Sequence, residues 1–575
     1  MSVIGCVPFF LGGICVRITP HDPVYPSHPS YQSPAYGIGA VNEFGTHRTT
    51  IQNLFDELLA MVFMHLSESS SDTSWINVIR VCRRWRRIAL GISSFAARHV
   101  LDIPKIGAIE MALKYSRSKP KWLHTRGQWS YPRDDVTGAS VLRLITPYLR
   151  NVQSIDIALP HSLDVSGIDL LGRLSSCRLD ALESLSLSFP SYQYTIPHFG
   201  AGSEDPSTPS LCISAPSLRN IRYSKIHMPW NSHSLTHLEL IGSSELVMPH
   251  PMSLNGLIIT LASSPQLESL VLSGWSFSTP AAGVGTPNIA VHPTASLPCL
   301  NSLALTRLGI DAIVFLLHNL DFPSTVRASL FAIPLDSMDS VRAVAGMNKL
   351  VHKIKSKLTL SSATTLYIED RSVERKFLEH FTVILADERS GIDSHQDSAL
   401  LSITVRTLVG FGTWLFKTDL VESLIQEAVI KHVAVAARGD ASSFDYYDSR
   451  NRERWQSVLA VVPEDTETLE ICGDSKPYVL GGLLSAMNPW VLIGLKTIIF
   501  DELPLPRSGG LRGPLSVLPE LESMLALRKR YGCEVWNVEI QRVSLWGRIY
   551  EGRLAWLDDG DEMRLKLLDY VASLV

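Results

Sequence analysis

The stretch PQLESLVL, Pro265–Leu272, carries apolar side chains at Leu267, Leu270 and Leu272, with Pro two residues before the first. The last two positions alternate with Ser269 and Val271, so Leu270 and Leu272 share one face of a strand. The pattern apolar-x-x-apolar-x-apolar recurs along the chain. Earlier copies are Val152-Ile155-Ile157, Leu182-Leu185-Leu187, Leu218-Ile221-Tyr223 and Leu235-Leu238-Leu240, and Leu300-Leu303-Leu305 follows. Looser copies continue at Ala363-Leu366-Ile368, Leu400-Ile403-Val405, Ile430-Val433-Val435, Thr466-Leu469-Ile471, Leu495-Ile498-Phe500 and Val535-Val538-Ile540. Pro216-Ser-Leu218 and Pro298-Cys-Leu300 repeat the proline lead-in. Most intervals are 29 to 40 residues, with one short step of 17 from Leu218 to Leu235. Between the strands, periodicity predicts helices at Ser140–Arg150, Ile168–Leu174, Ser253–Ala262, Ile310–Leu320 and Ser337–Lys355. It predicts more at Glu374–Ala386, Asp419–Glu427, Asn451–Val461, Leu480–Met487 and Leu518–Tyr531. Strand and helix at a period near 32 imply parallel strands joined by helical crossovers. No unit can bury its apolar face alone, so the units stack into an α/β solenoid.

The array resembles degenerate leucine-rich repeats, although the Asn or Cys that such repeats place after the strand is mostly absent here. The resemblance implies a horseshoe-shaped α/β solenoid over residues 99–575 that recognises a protein. A doubly wound α/β fold is the alternative architecture, since it also alternates strand and helix. Two linkers rich in Pro, Gly, Ser and Thr interrupt the array, at 190–215 and 273–296. Loops of that length are binding loops or disordered segments. Glu562–Val575 reads as a final amphipathic helix that caps the last repeat.

A different signal precedes the array, in Ile51–Arg98. Phe55, Leu58, Leu59, Val62, Phe63 and Leu66 recur at steps of three and four, which gathers them on one side of a helix. Asn53 can cap it, and Asp56 and Glu57 occupy its first turn, where the helix dipole favours negative charge. After a serine-rich break, Trp75–Leu90 carries two apolar stripes: Trp75, Val78, Ile79 and Cys82, and Val81, Trp85 and Ile88. A unit of about 48 residues cannot cover both well, so other chain or a partner must cover the second.

The pattern Leu54-x-x-Glu57-Leu58-Leu59-x-x-Val62-Phe63-x-x-Leu66, followed by Val81-Cys-Arg-Arg-Trp-Arg-Arg-Ile-Ala89, resembles an F-box over residues 49–98. F-boxes are small helical domains that dock on the Skp-type adaptor of cullin–RING ubiquitin ligases. The resemblance implies a substrate-recognition subunit without catalytic residues of its own. Its adaptor-binding candidates are Leu54, Leu58, Leu59, Val62, Phe63, Val81, Cys82, Trp85 and Ile88. Some of these form the domain's own core and others the docking surface, with Trp85 the leading anchor, because large aromatics dominate interface energetics. The chain has Phe55 where the family usually carries Pro, and Phe95 where it usually carries Trp. Those departures motivate the alternative of a repeat scaffold that joins no ligase.

The 575 residues are 45% hydrophobic with a net charge of −4, which gives no general attraction to nucleic acid or anionic membrane. Eight scattered cysteines without C-x-x-C pairs fit neither a zinc site nor a disulfide framework. There is no Gly-x-Ser-x-Gly elbow, phosphate-binding Gly-rich loop or His-Glu-x-x-His pair, and Gly283-Val-Gly285 and Gly410-Phe-Gly412 read as turns. The expectation is therefore no enzyme, cofactor or metal. Arg80, Arg83, Arg84 and Arg87 form a basic helical face, read as solvated, and Arg528-Lys529-Arg530 suits a helix C-terminus. The apolar leader Val3–Val16 is too short to span a bilayer and lacks a basic start and a cleavage site. Residues 1–48 read as a disordered leader, and the compartment as cytoplasmic or nuclear.

Overall fold

The structure is a computed structural model, which describes residues 9–11, 14–16, 54–69, 78–92, 107, 110, 113–114, 121–124, 143–158, 165–188, 212–242, 252–275, 277–278, 293–333, 340–373, 378–387, 399–408, 413–439, 449–472, 484, 487, 491–505, 518–533, 535, 537–545 and 548–557. The expected domain boundary at residue 98, most of the two long linkers, most of Leu480–Met487 and the expected C-terminal helix lie outside these residues. The chain forms two compact units, Met1–Phe55 and Asp56–Val575. In the first, Phe9–Leu11 pairs antiparallel with Ile14–Val16, a local hairpin in a stretch whose composition predicts no element.

The second unit is a mixed α/β structure around one 16-stranded, mostly parallel sheet that is not closed into a barrel. Its strands are β1 Lys121–His124, β2 Val152–Ala158, β3 Ser184–Ser188, β4 Asn220–Ser224, β5 His237–Ile241, β6 Ser269–Ser273, β7 Ser302–Gly309 and β8 Arg327–Ile333. They continue with β9 Thr365–Val373, β10 Leu378–Ala386, β11 Ala399–Leu408, β12 His432–Gly439, β13 Thr468–Ile471, β14 Thr497–Leu505, β15 Asn537–Leu545 and β16 Arg548–Leu557. Strands β1 to β8 lie in chain order, followed across the sheet by β11, β10, β9 and then β12 to β16. The helices are α1 Asp56–Ser69, α2 Val78–Val81, α3 Arg83–Gly91, α4 Val165–Ser176, α5 Leu254–Ala262, α6 Ile310–Asn319, α7 Ser340–Lys357, α8 Thr413–Ile425, α9 Ser449–Ala460 and α10 Leu518–Arg530.

Every apolar sextet ends in a strand, and its described inward side chains fill one core. Leu185 and Leu187, Leu238 and Leu240, Leu270 and Leu272, and Leu303 and Leu305 are all buried there. Leu257, Ile258 and Leu261 of α5 and Ile313, Leu316 and Leu317 of α6 belong to the same core. Each such side chain contributes roughly 1.5–3 kcal/mol by leaving water. One hydrogen-bond pattern stitches the repeats together. The residue after each leading apolar position offers its carbonyl to two successive N–H groups of the next strand: Glu183 to Arg219 and Asn220, Arg219 to Thr236 and His237, Thr236 to Glu268 and Ser269.

The strand ends are equally regular. Lys225, Gly274 and Arg307, each two residues beyond the last inward side chain of its strand, have φ of 60°, 66° and 56°. This left-handed residue turns the chain so that the next one, Ile226, Trp275 or Leu308, points back into the core. Apolar side chains thus fill the position where leucine-rich repeats usually place Asn. Gly242 holds the corresponding place after β5, where a Cβ would lie 2.3 Å from the Gly274 carbonyl oxygen, so only glycine fits.

The structure corrects one sequence expectation and adds two features that the pattern did not show. First, the described part of Glu374–Ala386 is not a helix. Leu378–Ala386 is β10, which runs antiparallel between β9 and β11. The alternation of Phe381, Val383 and Leu385, all buried, with β-branched neighbours, outweighs the helix-forming residues before it. The sheet is therefore not wholly parallel, and β16 is also antiparallel to β15. Second, β8 fills the double-length gap between the Leu300 and Ala363 sextets. Val326 closes the usual lead-in turn onto the Pro323 carbonyl, as Leu300 does onto Leu297. The next inward residue is Ala328, which pairs with Leu303, so the sextet is one residue short and escapes the pattern. Third, the 17-residue step from Leu218 to Leu235 has no helix. Its return stretch is extended, and Trp230–Asn231 pairs with Ile213–Ser214.

Candidate functional site

Two surfaces carry side chains outside the main core: the α1–α3 face, and the sheet face opposite the helices. In the first, α1 and α3 share a small core of Leu59, Phe63, Ile88 and Ala89, with Val78 of α2 also buried. Phe63 and Trp85 meet with ring centroids 5.1 Å apart and planes tilted by 56°. Asp56, in the first turn of α1, accepts from Arg84 Nε at 2.8 Å, and Arg87 Nη2 lies 3.5 Å from its other oxygen. Part of the arginine run therefore ties α3 to the start of α1. The Cys82 sulfur caps α3 by accepting from the Trp85 N–H at 3.4 Å.

The nine residues expected on the adaptor face separate by burial. Leu59, Phe63 and Ile88 are core. Leu54, Val62 and Trp85 are half-buried, while Leu58, Val81 and Cys82 are exposed. The exposed ridge is wider than the sequence pattern implied. Leu58 is 45% exposed, Met61 61% and Val81 58%, and Phe55, just before α1, is 74% exposed. Leu58 and Met61 are three residues apart on α1, the spacing that aligns side chains on a helix surface. Met61 was missed because it lies beside the core stripe; the spacing from Leu58 is the signal that finds it.

On the sheet face opposite the helices, Arg222 Nε lies 3.2 Å from Glu239 Oε2 across β4 and β5. Serines flank this pair: Ser186 opposite Arg222 on β3, and Ser269 and Ser273 on β6. Further along, the same face carries a second apolar cluster of Tyr367, Ile384, Ala399, Ala434, Ala436 and Cys472. Beside it His432 Nε2 sits 3.1 Å from Glu470 Oε2, both side chains buried.

The second basic cluster, Arg528-Lys529-Arg530, is more than a favourable helix end. Arg528 is buried, and its guanidinium donates to the carbonyls of Val491, Leu492 and Cys533 at 2.8, 2.6 and 3.2 Å. It clamps the end of α10 to the turn before β14. Burial holds its pKa below the usual arginine value. Among the described residues, no group of three or more His, Cys, Asp or Glu is placed to hold a metal ion, and no helix is long and apolar enough to cross a membrane. No family model matches the chain, and no curated protein matches it either.

Proposed function

We propose that the chain is a substrate-recognition subunit of a Skp–cullin–F-box type ubiquitin ligase, with a non-catalytic, leucine-rich-repeat-like solenoid. The α1–α3 face docks on the adaptor, and the repeats hold a target protein. One observation carries the reading: Phe55, Leu58, Met61 and Val81 remain exposed beside a core already filled by Leu59, Phe63 and Ile88. Large apolar side chains left outside a complete core mark an interaction surface. The F-box-like order of residues in the same segment supports the choice of partner.

Capture of a purified Skp-type adaptor by the full chain tests this, with Leu58→Asp and Met61→Asp beside wild type. Both positions are exposed, so the variants are expected to keep the wild-type circular dichroism while losing adaptor binding about tenfold or more, the effect of ~1.4 kcal/mol. A wild-type chain that captures no adaptor sinks the reading in favour of a protein-binding scaffold outside any ligase, to which Phe55 in the proline position also points.

A further inference from the structure

The connection from β4 to β5 closes without a helix, whereas α5 and α6 fill the connections after β5 and β7. Its first part, Lys225–Pro229, is tied at its two ends. The Lys225 N–H donates to the Ile241 carbonyl at 2.6 Å, and the Pro229 carbonyl accepts from the Ile213 N–H at 2.9 Å. Between these ties, Ile226, His227 and Met228 make no backbone–backbone hydrogen bond to any described residue. Lys225 itself has φ of 60°, so the stretch begins on a left-handed residue. Side chains hold it down instead. Ile226 and Met228 are buried in the main core, and the His227 ring stands among three aromatic rings. Its centroid lies 6.4 Å from that of Tyr223 on β4, 6.0 Å from Trp230 and 6.3 Å from Trp275 in the turn after β6, all edge-to-face. A segment with so few backbone hydrogen bonds opens locally at a lower free energy than the whole fold.

The imidazole is the weak point of that closure. Its Nε2 is sealed from solvent without a hydrogen-bond partner. Burial lowers its pKa to about 4, and no charged neighbour offsets the shift. The groups packed around the ring explain why. Tyr223 is titratable, but burial raises its hydroxyl, so it is neutral, and burial also holds up the thiol of nearby Cys212. Trp230 and Trp275 carry no charge, and neither does α5, which leads to Ser264, the acceptor of the Trp230 indole N–H. On β4 itself, Arg222 stands on the opposite face, paired with Glu239. Lys225, two residues before the ring, is a cation and disfavours a second one. A proton on His227 is therefore buried against no counter-charge, and water is the better solvent for it.

We propose that Lys225–Pro229 is a pH-sensitive latch: neutral His227 closes the stretch onto Tyr223, Trp230 and Trp275, and its protonation releases the ring into water and opens the stretch while the sheet stays folded. The direction follows from proton linkage. The closed form takes up a proton near pH 4 and the open form near 6.5, so the open form binds more protons as pH falls between those values. Relative to pH 7, the opening constant rises about threefold at pH 6 and about twentyfold at pH 5. The latch is independent of the adaptor face and does not rest on the ligase reading.

Hydrogen exchange of the full chain, followed by mass spectrometry at pH 7, 6 and 5 and corrected for the intrinsic pH dependence of exchange, tests this. Peptides containing Ile213 and Lys225 report the latch, because both N–H groups lose their carbonyl partners when it opens. Their protection is expected to fall by the factors above, while peptides of β7 containing Leu303 and Leu305 keep theirs. His227→Phe keeps a ring in place and cannot take up a proton, so its protection should not change with pH. His227→Ala removes the closing ring and should lower latch protection already at pH 7, with no further fall at pH 5. Near-UV circular dichroism of each variant checks that the array remains folded, and either variant alone suffices if the other misfolds. Latch protection that stays constant from pH 7 to 5 overturns the proposal, because the three rings then hold the imidazolium in place. An equal fall in β7 also overturns it, since the whole array then opens, as does a fall that persists in His227→Phe.

Discussion

One row of side chains runs across the sheet on the face away from the helices, and its two ends differ. From β3 to β8 it reads Ser186, Arg222, Glu239, Val271, Ala304 and Ser329, each paired in register with the next. None of these is buried. Beyond Ser402 of β11 the same row continues as Ile384, Tyr367, Ala434, Glu470, Ile499 and Glu539, and every one is buried. The change falls where β10 interrupts the parallel order. The helix-facing side of the sheet is apolar throughout, so it holds the repeats together in both regions. The opposite side is free of that demand. In the first region it presents hydroxyls and charges to solvent, and in the second it forms a further apolar layer enclosing charged groups.

The largest expected effect tests whether that second layer is truly closed. Ala434→Asp puts a short carboxylate, unable to reach solvent along a flexible stem, beside Glu470 and Tyr367. An uncompensated buried charge costs about 3–5 kcal/mol. Ser302→Asp introduces the same carboxylate on the same face of β7, where the position is exposed and Arg327 is the register neighbour. Its cost is expected below about 1 kcal/mol. Urea midpoints of the two variants measure the contrast directly, and equal losses would abolish the distinction between the regions.

A similar loss follows from removing one member of the buried pair. Glu470→Ala leaves His432 enclosed without its carboxylate neighbour, and about 3 kcal/mol of destabilisation is expected. The double variant Glu470→Ala, His432→Ala should recover part of it, because the imidazole is then no longer left without its carboxylate neighbour. A double variant as unstable as the single one would mean that the pair acts through packing alone.

The pH dependence of stability sharpens the comparison from the first region. His227 stays neutral in the fold down to about pH 4, whereas in the unfolded chain it takes up a proton near 6.5. As pH falls from 6.5 towards 4, the unfolded state therefore binds more protons and the fold loses stability, by up to about 3 kcal/mol. Above 6.5 the group contributes no pH dependence, and below 4 it causes no further loss. Urea midpoints at pH 7, 6 and 5 should fall in that order. Replacing the imidazole by an apolar ring, His227→Phe, should flatten the fall, and an unchanged slope in that variant assigns the effect elsewhere.

How far the sequence reveals this architecture depends on which face carries the signal. The helix-facing residues obey one demand, burial, and their spacing is visible wherever the sextet keeps its length, as at Leu267, Leu270 and Leu272. At β8 a single missing residue between Val326 and Ala328 hides the strand, although the turn and its hydrogen bond are kept. At β10 the strand signal is confined to Phe381–Leu385, behind residues that favour helix. The α1–α3 candidates were legible as a set but not as core and surface, because Leu58 and Leu59 look alike in a pattern and differ only once the helix is packed. The aromatic cluster around His227 left no sequence signal, since Tyr223 and Trp275 are far apart in the chain and both reach the His227 ring only through the turns after β4 and β6.

The smallest effect belongs to the one ion pair on the open stretch of the row. Arg222 is 60% exposed at its side chain and Glu239 35%, so water and salt screen their attraction and two long side chains must be ordered to make it. Arg222→Ala should cost no more than about 1 kcal/mol, and that cost should shrink further in 1 M NaCl, where the screening length is only about 3 Å. Glu470→Ala, in the same row but enclosed, should lose nearly the same stability at either salt concentration, because ions do not reach it. If the Arg222 variant proves as costly as the Glu470 variant and equally insensitive to salt, the first region's face is covered too. The row would then be one buried layer from end to end, and any partner of the repeats would have to bind elsewhere.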